Sequence, residues 1–385
     1  MGAPSKAASS LEPNVKSQPS TETRTTITVL FAAVTCLAII LIFLIPPSSQ
    51  ILFPAFTFAR ETGTYPDGLP LRRKYVGITI LDLIFTGLAG FFSAAVDGKD
   101  EATYLFCVWF LPQLCGVLVF CYWEAGRVPK SFMRLPTVVS IMAQLCTAGV
   151  TLPMYFASYA RNMPALPSAL SNDSLSRART VFLAVALGYG APTVALFAPV
   201  RTSLDTKQII AAIWQPFPIY ITVIYNFFRK LDASVRRNKL PAVAEAQQAF
   251  LWIKYSYYAC AIISAIPHIC IALPSLFTSD PARSFANVFV PYYLHPYLVP
   301  QSLKGDLPVY RVTARLLFQH DWLTMTMAAL LFFAWSHHVT CTTPAGPWVA
   351  RMVMLAVAGG PGAAVAWAAL EREERILRSI TMKNV

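Results

Sequence analysis

Long apolar blocks alternate with short polar segments along the chain, and the blocks set the expected architecture. They cover roughly residues 26–45, 76–96, 103–123, 135–157, 180–199, 207–228, 250–273, 323–340 and 349–370. Each is close to the ~20 residues that carry a helix through a hydrocarbon core of about 30 Å. The pattern predicts an all-α, polytopic transmembrane helix bundle of eight or nine helices, over residues 26–371. A shorter apolar patch at 51–59 is expected to be interfacial or re-entrant. Residues 1–25, rich in Ser, Thr, Lys and Pro, read as a disordered tail. The first block starts too deep and runs too long for a signal peptide, so it is read as a retained helix. Residues 372–385 read as a charged C-terminal tail. The longest interruption, 274–322, carries the run from Pro291 to Tyr297 and suits a structured cap at the membrane surface. Prolines inside blocks (Pro112, Pro192, Pro216, Pro218, Pro267 and Pro361) mark expected kinks, which membrane helices tolerate when neighbours satisfy the freed carbonyls.

Composition agrees with lipid as the main solvent. Apolar residues make up 56% of the 385 and charged residues 13%, against roughly 25% charged in soluble domains. The net charge of +12 would suggest nucleic acid if it formed one patch. Instead Lys and Arg gather at block edges, where positive charge orients helices and meets anionic headgroups, so no nucleic-acid partner is expected. The eight cysteines include no Cys-x-x-Cys pair, which leaves no zinc or redox reading. The Lys and Arg excess lies after helices 1, 3, 5 and 7 and at the C-terminus, placing that terminus in the cytosol. The sequon at Asn172 then falls on the lumenal side, and the endoplasmic reticulum is the expected membrane.

Ionisable residues at membrane depth are the first place to look for chemistry. Asp82 lies two turns into helix 2, Glu124 ends helix 3, His268 is near the end of helix 7, and Asp321 is read as starting helix 8. With helices alternating in direction, these four converge on one face, joined by Arg201 at the end of helix 5. Each also has a plain structural reading: Glu124 and Asp321 as headgroup-level anchors, Asp82 as a packing lock, His268 as a satisfied core histidine. A carboxyl group in an apolar cleft tends to keep its proton and can serve as a general acid. Aromatics at Trp214, Phe217, Tyr220, Tyr255, Tyr258, Phe318 and Trp322 could line such a cleft and steady a carbocation, although Trp and Tyr also enrich at bilayer interfaces. No Asp-Asp-x-x-Asp magnesium site, His-rich box, dinucleotide fingerprint or His-Glu-x-x-His occurs, and no metal or cofactor is expected.

The segments Leu81-Asp82, Trp123-Glu124-Ala-Gly-Arg127, Gln319-His-Asp321-Trp322 and Gly360-Pro361 through Trp367 to Glu371-Arg-Glu373-Glu374 resemble the fungal integral membrane terpene cyclases of meroterpenoid biosynthesis, of the ascochlorin and macrophorin type. The resemblance implies a protonation-initiated cyclase that acts on a farnesyl-type chain of a prenylated substrate, without metal or redox cofactor. It implies Asp321 or Glu124 as proton donor, with Asp82 holding the network, and association with other membrane-bound pathway enzymes. Two other readings stay open. A small-molecule transporter would need polar groups at mid-membrane, where Gln113, Gln144 and Gln215 are the main exceptions to Leu, Ala, Val and Phe; the lack of an internal repeat weighs against it. A non-catalytic lipid-binding protein is the third.

Overall fold

The computed structural model describes residues 19–127, 132–162, 173–198, 202–235, 240–292 and 309–383. They are helical nearly throughout, and the one β-type pairing among them is an isolated bridge between Thr64 and Pro70. Helix α1 (Thr21–Ile39) is capped by Ser20, whose hydroxyl accepts from the Thr23 amide, and irregular turns lead on to α2 (Phe53–Thr62). Then come α3 (Thr79–Val96), α4 (Glu101–Gln113), α5 (Cys115–Glu124), α6 (Pro136–Cys146) and α7 (Ala148–Asn162). They are followed by α8 (Ser174–Val185), α9 (Ala191–Phe197), α10 (Leu204–Trp214), α11 (Phe217–Val235) and α12 (Ala242–Pro267). The short α13 (Phe285–Phe289) precedes three last helices: α14 (Val309–Thr340), α15 (Ala345–Gly359) and α16 (Pro361–Lys383).

Among the described residues six helical segments are long and apolar enough to cross a membrane: Thr21–Thr62, Thr79–Val96, Glu101–Glu124, Ser174–Phe197, Ala242–Ser275 and Val309–Thr340. The α10–α11 pair, bent by 50°, makes a seventh when counted as one span. Large apolar side chains face outward along these helices, among them Val194, Val223, Phe227, Ile262 and Ile266. A contiguous apolar exterior of this kind needs a partner, and for helices of this length lipid is that partner. The chain is an integral membrane protein with an all-α fold.

The breaks in the helices follow the prolines. Pro112 closes α4 against α5, Pro192 opens α9, Pro216 sits at the α10–α11 bend, Pro267 ends α12, and Pro361 opens α16. Two further apolar blocks break at residues of positive φ. Block 135–157 breaks at Thr147, whose φ of 71° is left-handed, and block 349–370 breaks at Gly360, with φ of 89°. The shorter helices α6 and α15 result.

Three boundaries differ from the sequence reading. Helix α14 starts at Val309, fourteen residues before the expected block, because charged residues in its first turns are paired instead of exposed. Arg311 binds Asp67 and Asp97, and Arg315 binds Asp100 and the Asn287 side chain. Asp321 therefore lies inside a helix and not at its start. The expected 274–322 cap is accordingly partly helical span, and its residues 293–308 lie outside the described residues. Residues 372–383, expected as a tail, continue α16, and Arg372 and Glu373 are buried. Residues 1–18 of the expected N-terminal tail, and Asn172, also lie outside the described residues.

Candidate active site

A cleft of about 1070 Å³, its open mouth included, runs into the bundle between α3, α4, α5, α6, α14 and the α10–α11 bend. Eight of its lining residues are aromatic: Phe43, Phe53, Phe91, Phe92, Phe110, Trp214, Phe217 and Phe318. Four of them form a continuous wall. Phe92 lies 5.1 Å from Phe318 and 5.0 Å from Trp214, and Trp214 lies 5.2 Å from Phe217, between ring centroids. The bend at Gln215 and Pro216 turns Trp214 and Phe217 toward the same space, and the Trp214 indole N–H is fixed by donating to Thr193 Oγ1 at 2.8 Å.

Asp321 is the acidic residue in this lining. It is 9% exposed, and its Oδ1 accepts the Gly149 amide at 2.5 Å. The Ala148 amide and the Thr147 hydroxyl face the same carboxyl group. These donors exist because the chain breaks between α6 and α7. Thr147 adopts φ 71° and ψ 153°, a region nearly confined to glycine, at a cost of about 1–3 kcal/mol. The break turns the first amides of α7 onto Asp321. Gly149 permits the contact: a Cβ there would lie 2.1 Å from Thr324 Oγ1 and 3.0 Å from Asp321 Oδ1. Among the described residues no Arg, Lys or His forms an ion pair with Asp321, whereas the buried Asp100, Glu124 and Glu373 are each bound by arginine.

Glu124 lies elsewhere, in a closed ionic cluster away from the cleft. Fully buried, its Oε1 accepts from Arg127 at 2.7 Å and from Arg372 at 3.0 Å. Its Oε2 accepts the Tyr159 hydroxyl at 2.5 Å. Arg127 also donates both terminal nitrogens to Glu373, at 2.7 and 2.6 Å. Two carboxylates thus face two guanidiniums, and each charge is answered. This set ties α5, α7 and α16 together. A carboxylate held by two guanidiniums is suited to fixing helices and poorly suited to giving up a proton.

Asp82 and His268 are also spent on packing. The Asp82 carboxylate accepts the Tyr75 and Val76 amides at 2.8 Å and the Gly77 amide at 3.1 Å, fastening the turn that leads into α3. His268 Nδ1 accepts the Trp109 indole N–H at 3.2 Å, and its Nε2 lies 2.9 Å from the Val357 carbonyl, to which it then donates. The expected common layer of four acidic or basic groups is therefore dispersed: Asp321 alone among them lines the cleft.

The aromatic candidates divide in the same way. Trp214, Phe217 and Phe318 line the cleft. Trp322, on the other side of α14, packs edge-on against Trp109 at 4.9 Å. The Tyr220 hydroxyl donates to the Ile213 carbonyl, Tyr255 is 61% exposed on the outer surface, and Tyr258 lies beside Lys254 and Trp367. Arg201 lies outside the described residues. Sequence reasoning missed Gly149, Thr147, and the Phe91, Phe92 and Phe110 part of the wall. Among the described residues no group of three or more His, Cys, Asp or Glu side chains could hold a metal ion.

Known proteins now bear on this geometry. The family model of the CtvD domain matches residues 26–377. The chain belongs to the CtvD family. It is 27% identical over 206 residues to the terpene cyclase ctvD of Aspergillus terreus, a match spanning 52% of this chain and 57% of that relative. With the terpene cyclase DEP1 of Fusarium langsethiae it shares 24% over 344 residues, 84% of this chain and 92% of the relative. With the terpene cyclase ascI of Acremonium egyptiacum it shares 24% over 275 residues, 68% and 66% of the two chains. No solved structure matches the chain. The resemblance read from short sequence segments thus holds at the level of the family: this is a membrane protein related to terpene cyclases of fungal secondary metabolism.

Proposed function

We propose that the chain is a protonation-initiated terpene cyclase, with Asp321 as the proton donor and the aromatic cleft as the chamber in which a farnesyl-type chain of a prenylated substrate folds. The observation that carries this reading is the position of Asp321, the one acidic residue in the lining of the cleft, with no cation paired to it among the described residues. The neutral acid, the form that can give a proton, is also the form that an apolar wall tolerates at least cost. Gly149 anchors Oδ1, and the transferable proton is assigned to Oδ2.

The steps balance without any other reactant. Asp321 gives its proton to the terminal double bond, or to the oxygen of a terminal epoxide, and leaves a tertiary carbocation. Internal double bonds attack in turn, each forming a carbon–carbon bond and passing the positive charge inward. The last cation then loses one proton, which returns to the Asp321 carboxylate directly or through water, so the acid is regenerated and the net change is an isomerisation. Trp214, Phe217, Phe92 and Phe318 present π faces or edges along this path, and an aromatic face stabilises a desolvated cation by about 0.5–2 kcal/mol. Excluding water keeps the cation from being quenched as an alcohol.

A lipid-soluble substrate fits the bilayer setting, and the reading includes the endoplasmic reticulum as the membrane, a cytosolic C-terminus and neighbouring membrane-bound pathway enzymes. The test is conversion. Microsomes from a host without terpenoid clusters, carrying this chain, are incubated with a farnesylated phenol and with its terminal epoxide. A cyclic product of unchanged mass supports the reading. No conversion of either substrate by verified, membrane-inserted protein counts against it and moves the transporter reading, tested by vesicle uptake, to first place.

A further inference from the structure

The three mid-membrane glutamines differ in what they bind. Gln113 is fully engaged: its amide donates to the Trp109 and Ser264 carbonyls and accepts the Gly362 amide, locking α4 to α12 and α16. Gln215 is buried at the α10–α11 bend with its amide oxygen and nitrogen lacking a partner among the described residues, but it lies outside the cleft lining and does not face the cleft space. Gln144 lines the cleft, and its Nε2 is buried without a hydrogen-bond partner. Oxygen and nitrogen of a carboxamide differ by a half-turn of χ3, so either can be turned toward the cleft. Ser140, one helical turn earlier on α6, lines the same wall, and Thr147, one turn later, sits at the Asp321 carboxyl group.

A wall built largely of Phe, Leu, Val and Ala gains nothing from an unpaired amide, and a hydrocarbon lying against it would leave the amide unpaired. We infer that Gln144 is a specificity subsite that donates a hydrogen bond to an acceptor oxygen of the substrate, so that the cleft selects an oxygenated prenylated molecule over a bare hydrocarbon of the same shape. The inference rests on the cleft being the cyclase chamber and specifies what that chamber recognises. The oxygen has two sources: a phenolic head group, or an epoxide on the prenyl chain. From Ser140 to Thr147 the α6 wall spans only about 10 Å, so an oxygen bonded by Gln144 lies close to Asp321 in either case.

The test reads binding, so that it stands apart from turnover. The full chain in nanodiscs is titrated with three radiolabelled probes: farnesylbenzene, a farnesylphenol, and farnesylbenzene terminal epoxide. The variants are Gln144→Met, close in volume, and Gln144→Leu, should the first fail to accumulate. The wild type is expected to bind at least one oxygenated probe more tightly than farnesylbenzene, and Gln144→Met to lose roughly five- to a hundredfold for that probe alone. Preference for the phenol places the oxygen in the head group, and preference for the epoxide places it on the chain. Equal affinity of the wild type for all three probes, equal losses in the variant for all three, or no binding of any probe overturns the inference. Discrimination by binding with no cyclised product would instead leave the subsite standing and sink the cyclase reading.

Discussion

Replacing Glu124 by glutamine sets the two buried acids against each other. The substitution keeps the volume and part of the hydrogen bonding of a fully buried residue, but it removes one of two negative charges from a set that holds two guanidiniums, Arg127 and Arg372. Arg127 keeps Glu373 as a partner, at 2.6 Å. Arg372 keeps only a looser contact with Glu373, at 3.6 Å. Breaking a buried pair by removing one partner costs about 3–5 kcal/mol, because it strands the other charge. That is a large share of the 5–15 kcal/mol by which an ordinary domain is stable. Glu124→Gln should accordingly unfold at lower temperature in nanodiscs, while the molecules that remain folded keep their turnover. Glu124→Gln combined with Arg372→Gln restores neutrality and should be more stable than the sum of the single changes, a coupling that a double-mutant cycle measures directly. Thermal unfolding and product formation per folded molecule are the two readouts. A Glu124→Gln protein as stable as the wild type but without turnover would refute the reasoning and make Glu124 the acid.

Further outcomes follow from the same contacts. Gly149→Ala introduces a Cβ 2.1 Å from Thr324 Oγ1 and 2.9 Å from the Asp321 carbonyl oxygen, so α7 must move away from α14. Product formation should fall by at least tenfold, with the protein still inserted, as rates per folded molecule will show. Phe318→Leu removes the ring at one end of the row Phe318, Phe92, Trp214. The lost cation–π contact, about 0.5–2 kcal/mol, should slow turnover by roughly 2- to 30-fold and raise the share of incompletely cyclised products in mass-spectrometric profiles. Arg311→Met leaves Asp67 and Asp97 without their shared cation and should cost stability on the same 3–5 kcal/mol scale, seen as a lower unfolding temperature.

The sequence carried the elements whose signal is local. Block length and the prolines at 112, 192, 216, 267 and 361 mark the apolar helices and five of their breaks, because a proline removes a donor wherever it stands. Among the described residues, however, six or seven segments, and not eight or nine, are long and apolar enough to cross a membrane. Asp321, Trp214, Phe217 and Phe318 could be named as candidates by residue type. What stayed hidden depends on partners far along the chain. Glu124 looks like a free acid until α16 brings Arg372 against it, 248 residues away. Arg311 and Arg315 look like a polar loop until Asp67, Asp97 and Asp100 answer them, which is why the start of α14 was misplaced. The hint available was the Glu124 and Arg127 spacing of three, an ion pair across the turn that ends α5. Nothing local announced the Thr147 break, since a threonine in a left-handed conformation is held there by its surroundings.

The account stands or falls on one acid. Wild-type and Asp321→Asn proteins, inserted in microsomes in equal measured amounts, are compared on the farnesylated phenol and its terminal epoxide. Asparagine can still accept the Gly149 amide but has no carboxyl proton to give, so the account predicts unchanged folding and loss of the isomeric product by at least a hundredfold. Asp321→Asn protein that forms the cyclised product at the wild-type rate would contradict the assignment of Asp321 as the proton donor.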